Sequence, residues 1–253
     1  MKQNSQRGFT LVEMTIVLVI IGLILGAVTI GKDVQRNAEY TKIKQKFFDQ
    51  WALAYNAYYQ RTGVVPGDSQ TKPQLMVDGA KFATPSGGDM TKATEPASIC
   101  HGKEATGMRA AETTADFDLR SMMQKAGVRM PAGRAEGSED RYVFLDSNGN
   151  PQEIQVCFQW NKPETPSGAG NVMVISGLTP DLARMLDQMI DGKADAQEGL
   201  FRQSSVKNGV ANAPGVEWSV TNQNKYGETD PAKPSNLDED LVATVIAHYK
   251  MNQ

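Results

Sequence analysis

The first sixty residues carry the clearest hydrophobic pattern in the chain. Residues 9–30 (FTLVEMTIVLVIIGLILGAVTI) are apolar except for Glu13 and three threonines. As a helix these 22 residues would be about 33 Å long, which matches a hydrocarbon core of about 30 Å. The pattern therefore predicts a membrane-spanning helix over residues 9–31.

The helical pattern continues beyond the predicted span. Apolar side chains recur every three or four positions over residues 32–63 and form one stripe: Tyr40, Ile43, Phe47, Trp51, Tyr55 and Tyr58. Gly63, followed closely by Pro66, predicts the end of the helix. We therefore expect one long helix whose second half packs its stripe into the core of a globular head, residues 64–253.

Strand patterns in the head predict an antiparallel sheet. Residues 142–145 and 154–160 flank the turn signal Asn148-Gly149, which predicts a hairpin. Residues 171–176 predict a further strand, and residues 216–220 predict an edge strand. Residues 84–115 are predicted to form a long irregular insertion.

Three short helices are predicted beside this sheet. One covers residues 116–126 with Asp116 as its N-cap, and another starts at Pro180 and ends at Gly192. The last covers residues 237–250 behind a cap at Asn236. With the sheet, these helices give an α+β fold class.

The charges that flank the predicted span indicate its orientation in the membrane, and the net charge of the chain argues against nucleic acid as a partner. Lys2 and Arg7 precede the span and Asp33 and Glu39 follow it, which favours a cytoplasmic amino terminus and an exported head. The formal net charge is −3, so we expect no non-specific binding of nucleic acid.

Glu13 separates three hypotheses for the amino-terminal segment. A cleaved secretory signal has an apolar stretch of about 7–15 residues, shorter than the one found here. A plain signal anchor fits the length but leaves Glu13 unexplained, because a lone carboxylate inside a membrane costs about 2.5–3.5 kcal/mol on insertion scales. The third hypothesis accounts for Glu13 through a family resemblance.

Residues Gly8-Phe9-Thr10-Leu11-Val12-Glu13 resemble the processing signature of type IV pilins and type II secretion pseudopilins. The resemblance is specific from Arg7 to about Ile30 and looser to about Asp68. It implies that residues 1–8 are a leader, that prepilin peptidase cuts between Gly8 and Phe9, and that Phe9 is N-methylated. Residues 186–202 are also modestly similar to a stretch in the heads of large minor pilins.

The resemblance implies an assembly role for Glu13. A charged amine at Phe9 of one subunit can pair with Glu13 of a neighbour, and the pair replaces two unfavourable membrane charges. The implied partners are other pilin subunits, prepilin peptidase and the inner-membrane assembly platform. The implied localisation is a single-pass inner-membrane protein that later joins a periplasmic or extracellular filament.

Two features favour a minor subunit of a type IV pilus-like filament over the major one. The head has about 190 residues, and the proline that many major pilins carry near Ile30 is missing. A type II secretion pseudopilin is the close alternative. A membrane-anchored binding or enzymatic domain outside any filament is the alternative in another class.

The sequence of the head contains few residues or motifs that are typical of catalysis. It lacks the nucleotide-binding, hydrolase and paired-cysteine metal motifs, so we predict that the protein is not an enzyme. Cys100 and Cys157, on the exported side, are predicted to form a disulfide. The alternatives are two separate thiols and, more weakly, a Cys–His dyad with His101 or His248 as base.

One loop of the head has the alternating oxygen ligands of a calcium site. Asp146, Asn148 and Asn150 alternate there, but the glycine stands too early for an EF-hand and no glutamate follows at the twelfth position. The sequence favours a simple turn, with calcium as the less favoured alternative, and predicts no other cofactor or metal.

Overall fold

The computed structural model describes residues 9–84, 87–105, 107–112, 114–206, 215–218 and 244–251. The chain divides into two compact units, Met1–Thr41 and Lys42–Gln253. The predicted α+β class is confirmed, because a long amino-terminal helix accompanies a five-stranded antiparallel sheet with additional helices.

The amino-terminal helix runs without a break in three segments. These are α1 (Leu11–Ile43), a π-helical turn (Lys44–Phe48) and α2 (Asp49–Thr62). The helix ends where the sequence predicts, at Gly63, which has φ 76° and donates its N–H to the Tyr59 carbonyl. A left-handed residue at this position is most easily a glycine.

The π-helical turn places two consecutive phenylalanines in the core. The N–H of Asp49 donates to the carbonyl of Lys44, five residues earlier, and an ion pair of 2.8 Å joins the side chains of the same two residues. Phe47 and Phe48 are both buried. In an uninterrupted α-helix neighbouring residues point about 100° apart, so the wider turn lets both rings face inward.

The sheet contains five strands in the order β1-β2-β3-β5-β4. The strands are β1 (Arg141–Leu145), β2 (Pro151–Asn161), β3 (Gly170–Leu178), β4 (Phe201–Gln203) and β5 (Val245–Lys250). All neighbouring pairs are antiparallel. The predicted hairpin is therefore confirmed as β1–β2, and the strand predicted over residues 171–176 is confirmed as part of β3.

The predicted apolar stripe is buried, as expected. Tyr40, Ile43, Phe47, Trp51, Tyr55 and Tyr58 expose between 0% and 9% of their surface. The rings of Trp51 and Tyr55 lie 6.1 Å and 5.1 Å from the ring of Phe158 in β2. The indole N–H of Trp51 also donates to the carbonyl of Glu139 at 3.2 Å. Helix α2 thus packs on the sheet through large aromatic surfaces, the most effective hydrophobic contacts in a core.

The carboxy-terminal part of the chain corrects the sequence prediction. Residues 245–250 form strand β5 between β3 and β4, where the sequence predicts the end of a helix. Asn236 and the first residues of that predicted helix lie outside the described residues. Val245, Ile246 and Ala247 are all buried, so both faces of the sheet are covered at this strand. A short buried apolar run has no period that separates a strand from a helix.

Two smaller predictions also need correction. The predicted helix at residues 116–126 is α3 (Leu119–Lys125), and its N-cap is Asp118, whose carboxylate accepts the Ser121 N–H at 3.0 Å. Asp116 belongs instead to a preceding 3₁₀ turn, Ala115–Phe117. Residues 216–218 do not form the predicted edge strand, and residues 219–220 lie outside the described residues.

The helix predicted from Pro180 to Gly192 is confirmed as α4 (Pro180–Asp191). Thr179 is its N-cap residue, and Pro180 occupies the first turn, where no N–H is needed. Gly192 ends the helix with φ 77°.

Candidate functional site

The start of α1 is held by reciprocal hydrogen bonds between Thr10 and Glu13. The Glu13 carboxylate accepts from the Thr10 N–H at 2.8 Å and from the Thr10 hydroxyl at 3.0 Å, and the Glu13 N–H lies 3.3 Å from that hydroxyl oxygen. This is a capping box, in which a threonine N-cap and a glutamate three residues later satisfy each other's free backbone donors. The sequence analysis did not identify Thr10, although the pattern Thr10-x-x-Glu13 carries the signal.

The other hydroxyl groups of the apolar segment are also satisfied within the helix. Thr15 donates to the carbonyl of Val12 at 2.8 Å, and Thr29 donates to the carbonyl of Gly26 at 2.9 Å. Hydroxyls bonded to their own helix in this way are compatible with lipid. Glu13 is the one ionisable residue among residues 9–31.

The apolar side chains of this segment cover the helix on all sides and are exposed. Phe9, Leu11 and Leu23 expose between 70% and 79% of their surface. The helix contains a stretch that is long and apolar enough to cross a membrane. A β-carbon added at Gly22 or Gly26 would meet no atom within 4 Å. This face is therefore open to a second helix, and small residues four apart allow close helix approach.

In the head, the two cysteines are bonded to each other. A disulfide joins Cys100, in the insertion, to Cys157 in β2, with the Cα atoms 4.6 Å apart. The adjacent Ile99 pairs with Phe158 through backbone hydrogen bonds of 2.8 Å and 3.0 Å. The insertion therefore lies beside β2 at this point and forms an antiparallel bridge with it. A catalytic thiol would have to be free, and in this structure neither sulfur is.

Both histidines have partners other than a cysteine. Nδ1 of His101 lies 2.7 Å from Asp118, and its Nε2 lies 2.9 Å from the carbonyl of Gly137. Nδ1 of His248 lies 2.6 Å from the Ser167 hydroxyl and 3.1 Å from the Asn161 amide. Burial lowers the pKa of His248 to about 4. These contacts make the histidines part of the polar framework of the head.

The loop between β1 and β2 is organised by Asp146. One carboxylate oxygen accepts the N–H groups of Asn148 and Asn150, each at 2.9 Å, and the other accepts the Gln152 amide at 2.9 Å. Burial opposes ionisation here, and the bonds from Gln152 and the loop amides outweigh it and lower the pKa of Asp146. Among the described residues no group of three or more acidic, histidine or cysteine side chains is placed to hold a metal ion.

Comparison with known families gives a match at the amino terminus. Residues 3–29 match the prokaryotic N-terminal methylation motif. This chain carries the type IV pilin and pseudopilin signal. The signal indicates a pilin-like or pseudopilin subunit and points to a structural protein. No curated protein and no solved structure matches the chain.

The capping box of Thr10 and Glu13 lies within this pilin signal. Gly8 lies outside the described residues, while Phe9 and Glu13 are exposed at the start of the apolar helix. The methylation motif and this helix fit an anchor in the membrane and a later place in a filament. A pilin signal also implies interaction with other pilin subunits and with prepilin peptidase in general.

Carboxylates at the end of α4 organise the acidic loop that follows this helix. The Asp191 carboxylate accepts the N–H groups of Leu200 and Phe201 at 2.9 Å. The buried Asp187 accepts the Asp195 N–H at 2.7 Å and the Trp218 indole N–H at 2.9 Å. Burial raises the pKa of Asp187 to about 7. Asp187, Asp191 and Asp195, within the stretch 186–202, therefore fix this loop.

Proposed function

We propose that this chain is a minor structural subunit of a type IV pilus-like filament, cut between Gly8 and Phe9, N-methylated at Phe9 and assembled through its apolar helix. The observation that carries the proposal is the single carboxylate, Glu13, in the first turn of an exposed apolar helix that lies within the methylation motif. A helix that is apolar on all sides needs lipid or other helices around it.

Processing changes the charge at the start of the helix. Hydrolysis of the Gly8–Phe9 bond removes Lys2 and Arg7, takes the formal net charge from −3 to −5, and creates a new amine at Phe9. A methylated amine stays protonated, so each mature subunit has one cation at Phe9 and one anion at Glu13. Within one subunit Glu13 accepts hydrogen bonds from Thr10. The Phe9 cation therefore needs a carboxylate from another subunit.

Assembly joins the two charges between subunits. The Phe9 amine of one subunit pairs with Glu13 of its neighbour, because two opposite charges in an apolar medium are far less costly together than apart. The open surface at Gly22 and Gly26 allows the helices to approach closely. The exposed side chains of residues 9–30 then pass from lipid to helix–helix contacts.

The minor role rests on size and on helix composition. The head of about 190 residues is larger than a pilin needs to cover its helix, and residues 1–65 contain no proline. In the orientation we propose, the amino terminus is cytoplasmic and the head is exported, which also suits the disulfide between Cys100 and Cys157.

Peptide mass spectrometry of the protein from native membranes tests the proposal. We expect a mature chain that begins with N-methylated Phe9. Recovery of a chain that begins at Met1 or after Ala27 would contradict processing at Gly8. Genomic neighbours that encode a secretion system in place of a pilus would assign the chain to the pseudopilins.

The variant Glu13→Gln tests assembly separately from processing. It removes the charge and keeps the size of the side chain, so we expect a processed subunit that is strongly reduced in sheared filaments. Asp33→Asn, which removes a carboxylate just beyond the apolar stretch, is the matched control. Equal amounts of Glu13→Gln and wild-type protein in filaments would show that assembly does not depend on Glu13, and absence of the wild-type protein from filaments would favour an anchored domain that does not assemble.

A further inference from the structure

An elongated groove runs along one side of α2 in the second unit. Its one wall is the helix face from Lys46 to Arg61, and its other wall is the extended segment 128–132. The sixteen residues from Lys46 to Arg61 span about 22 Å along the helix axis. The cavity has a volume of about 430 Å³. The cavity opens to solvent, where Lys46, Leu53 and Arg129 are exposed.

The centre of the groove is apolar. Leu53 exposes 59% of its surface, more than any other large apolar side chain described in the second unit. Ala54 and Ala57 lie beside it on α2, and Met130 and Pro131 face it from the other wall. Because the aromatic stripe of α2 is already buried against the sheet, Leu53 belongs to a second face of this helix that has no cover.

The rim of the groove is positively charged. Lys46, Arg61 and Arg129 line it, and none of the described lining residues is acidic. Lys46 and Arg129 are exposed, and within the described residues their side chains form no ion pair or hydrogen bond. Two other basic side chains of this unit, by contrast, are paired: Arg120 with Glu139 and Lys125 with Asp116.

Arg61 makes the groove a preformed feature. Its guanidinium donates to the carbonyls of Ala126, at 3.1 Å, and Gly127, at the end of α3. These bonds tie segment 128–132 to α2. A partner that enters the groove therefore meets fixed walls and loses little free energy in ordering them.

We propose that this groove docks an acidic, partly apolar surface of a neighbouring pilin-type subunit. The proposal rests on the function proposed above. The charges of the rim select carboxylates, and the apolar centre selects a partner with aliphatic or aromatic side chains between them.

The small size of the groove selects a partner anchored in the same membrane. A stable complex between free proteins usually buries about 1,600 Å² in total, which a single groove of this size does not provide. Two subunits joined through their apolar helices hold their heads at high effective concentration, so a small contact is sufficient. A neighbouring subunit meets this condition and a free soluble protein does not.

Site-specific photocrosslinking in the full chain, expressed in its native membrane, tests the proposal. A photoreactive residue at position 53 should form an adduct with a second chain that itself begins with an N-methylated residue, identified by mass spectrometry. The same residue at Leu145, which is also exposed, at 53%, but lies at the end of β1, should give little adduct.

Charge reversal gives the second arm of the test. Lys46→Glu with Arg129→Glu should reduce the adduct about fivefold or more, because both rim charges then repel carboxylates. Lys46→Arg with Arg129→Lys should keep it. Lys72→Glu with Arg184→Glu changes the net charge by the same amount on exposed positions outside the groove and should also keep it.

A photoreactive residue at Val17, in the apolar helix, distinguishes this proposal from the one on which it rests. Adducts at position 17 without adducts at position 53 would overturn the groove and leave the assembled helix intact. Adducts at position 53 with a protein that has no methylated amino terminus would also overturn it. The absence of adducts at both positions would count against the filament itself.

Discussion

The carboxylate of Glu13 bonds back to Thr10 of its own chain, at 2.8 Å from the backbone N–H and 3.0 Å from the hydroxyl. The single charge of the apolar segment is thus satisfied inside one subunit before any neighbour arrives. The same residues form the first turn of α1, so the proposed assembly residue is also a structural cap. A neighbour's amine therefore competes with Thr10 for Glu13.

Replacement of Thr10 tests the capping box. Thr10→Val keeps the shape of the side chain and removes the hydroxyl, and the loss of such a cap costs about 0.5–2 kcal/mol. We expect amide exchange over residues 11–14 to accelerate about fivefold in detergent micelles, which corresponds to about 1 kcal/mol. Thr10→Ser should exchange like the wild type. Unchanged exchange in Thr10→Val would show that the hydroxyl does not hold the helix start.

The disulfide should make a large contribution to the stability of the head. Cys100 and Cys157 are 57 residues apart, and closing a loop of this length contributes about 4 kcal/mol in the chain-entropy model. We expect the double variant Cys100→Ser with Cys157→Ser to lose about that amount of unfolding free energy in urea titrations. Wild-type protein with a reductant should lose a similar amount. A reductant should leave the double variant unchanged, and a loss there would point to another cause.

Phe158 should be one of the most sensitive core positions. This side chain of β2 is fully buried, and its ring lies against the rings of Trp51 and Tyr55. Phe158→Ala should cost about 3–5 kcal/mol of unfolding free energy, because it removes buried area and leaves a cavity. Val143→Ala in β1, where the side chain is 40% exposed, is the control and should cost far less. Similar losses in both variants would contradict the packing of α2 on β2.

Asp187 should make the stability of the head depend on pH. Burial raises its folded pKa to about 7 from 3.8, so between these values the folded chain holds a proton that the unfolded chain has released. Its contribution to stability is therefore complete below the lower value and declines as pH rises, by at most about 1.4 kcal/mol per pH unit.

Comparison with Asp187→Asn isolates this titration. The unfolding free energy of the wild type, relative to that of Asp187→Asn, should fall as pH rises through this range and become constant above a pH of about 7. Asp116→Asn is the control, because the hydrogen bond from Lys125 lowers the pKa of Asp116 and no such fall is expected. A constant difference between wild type and Asp187→Asn would show that Asp187 is not protonated in the folded head.

Local sequence signals were sufficient where they acted over a few residues. The hairpin follows from Asn148-Gly149 between two alternating strands, and α4 follows from Thr179-Pro180 at its start and Gly192 at its end. The burial of Trp51 and Tyr55 follows from helical spacing alone. The methylation motif likewise lies in one continuous segment, residues 3–29.

Prediction failed where distant parts of the chain decide the structure. Strand β5 exists because β3 and β4 offer hydrogen bonds on both sides, and residues 245–250 have no local feature that excludes a helix. Asp118 becomes the N-cap in place of Asp116 in a segment that is also bound from outside, by Leu119 N–H to the Cys100 carbonyl and by Asp118 to His101. The position of Trp218 likewise depends on Asp187, 31 residues away.

The sequence by itself determined the long apolar helix, the single charge at Glu13 and the pilin-type signal, because each of them lies in one continuous segment of the chain. The tertiary structure decided the strand order, the inward position of both Phe47 and Phe48, and the basic groove beside Leu53. Those features require pairing or packing between segments far apart in the chain, and the free energy of such contacts is absent from any local pattern.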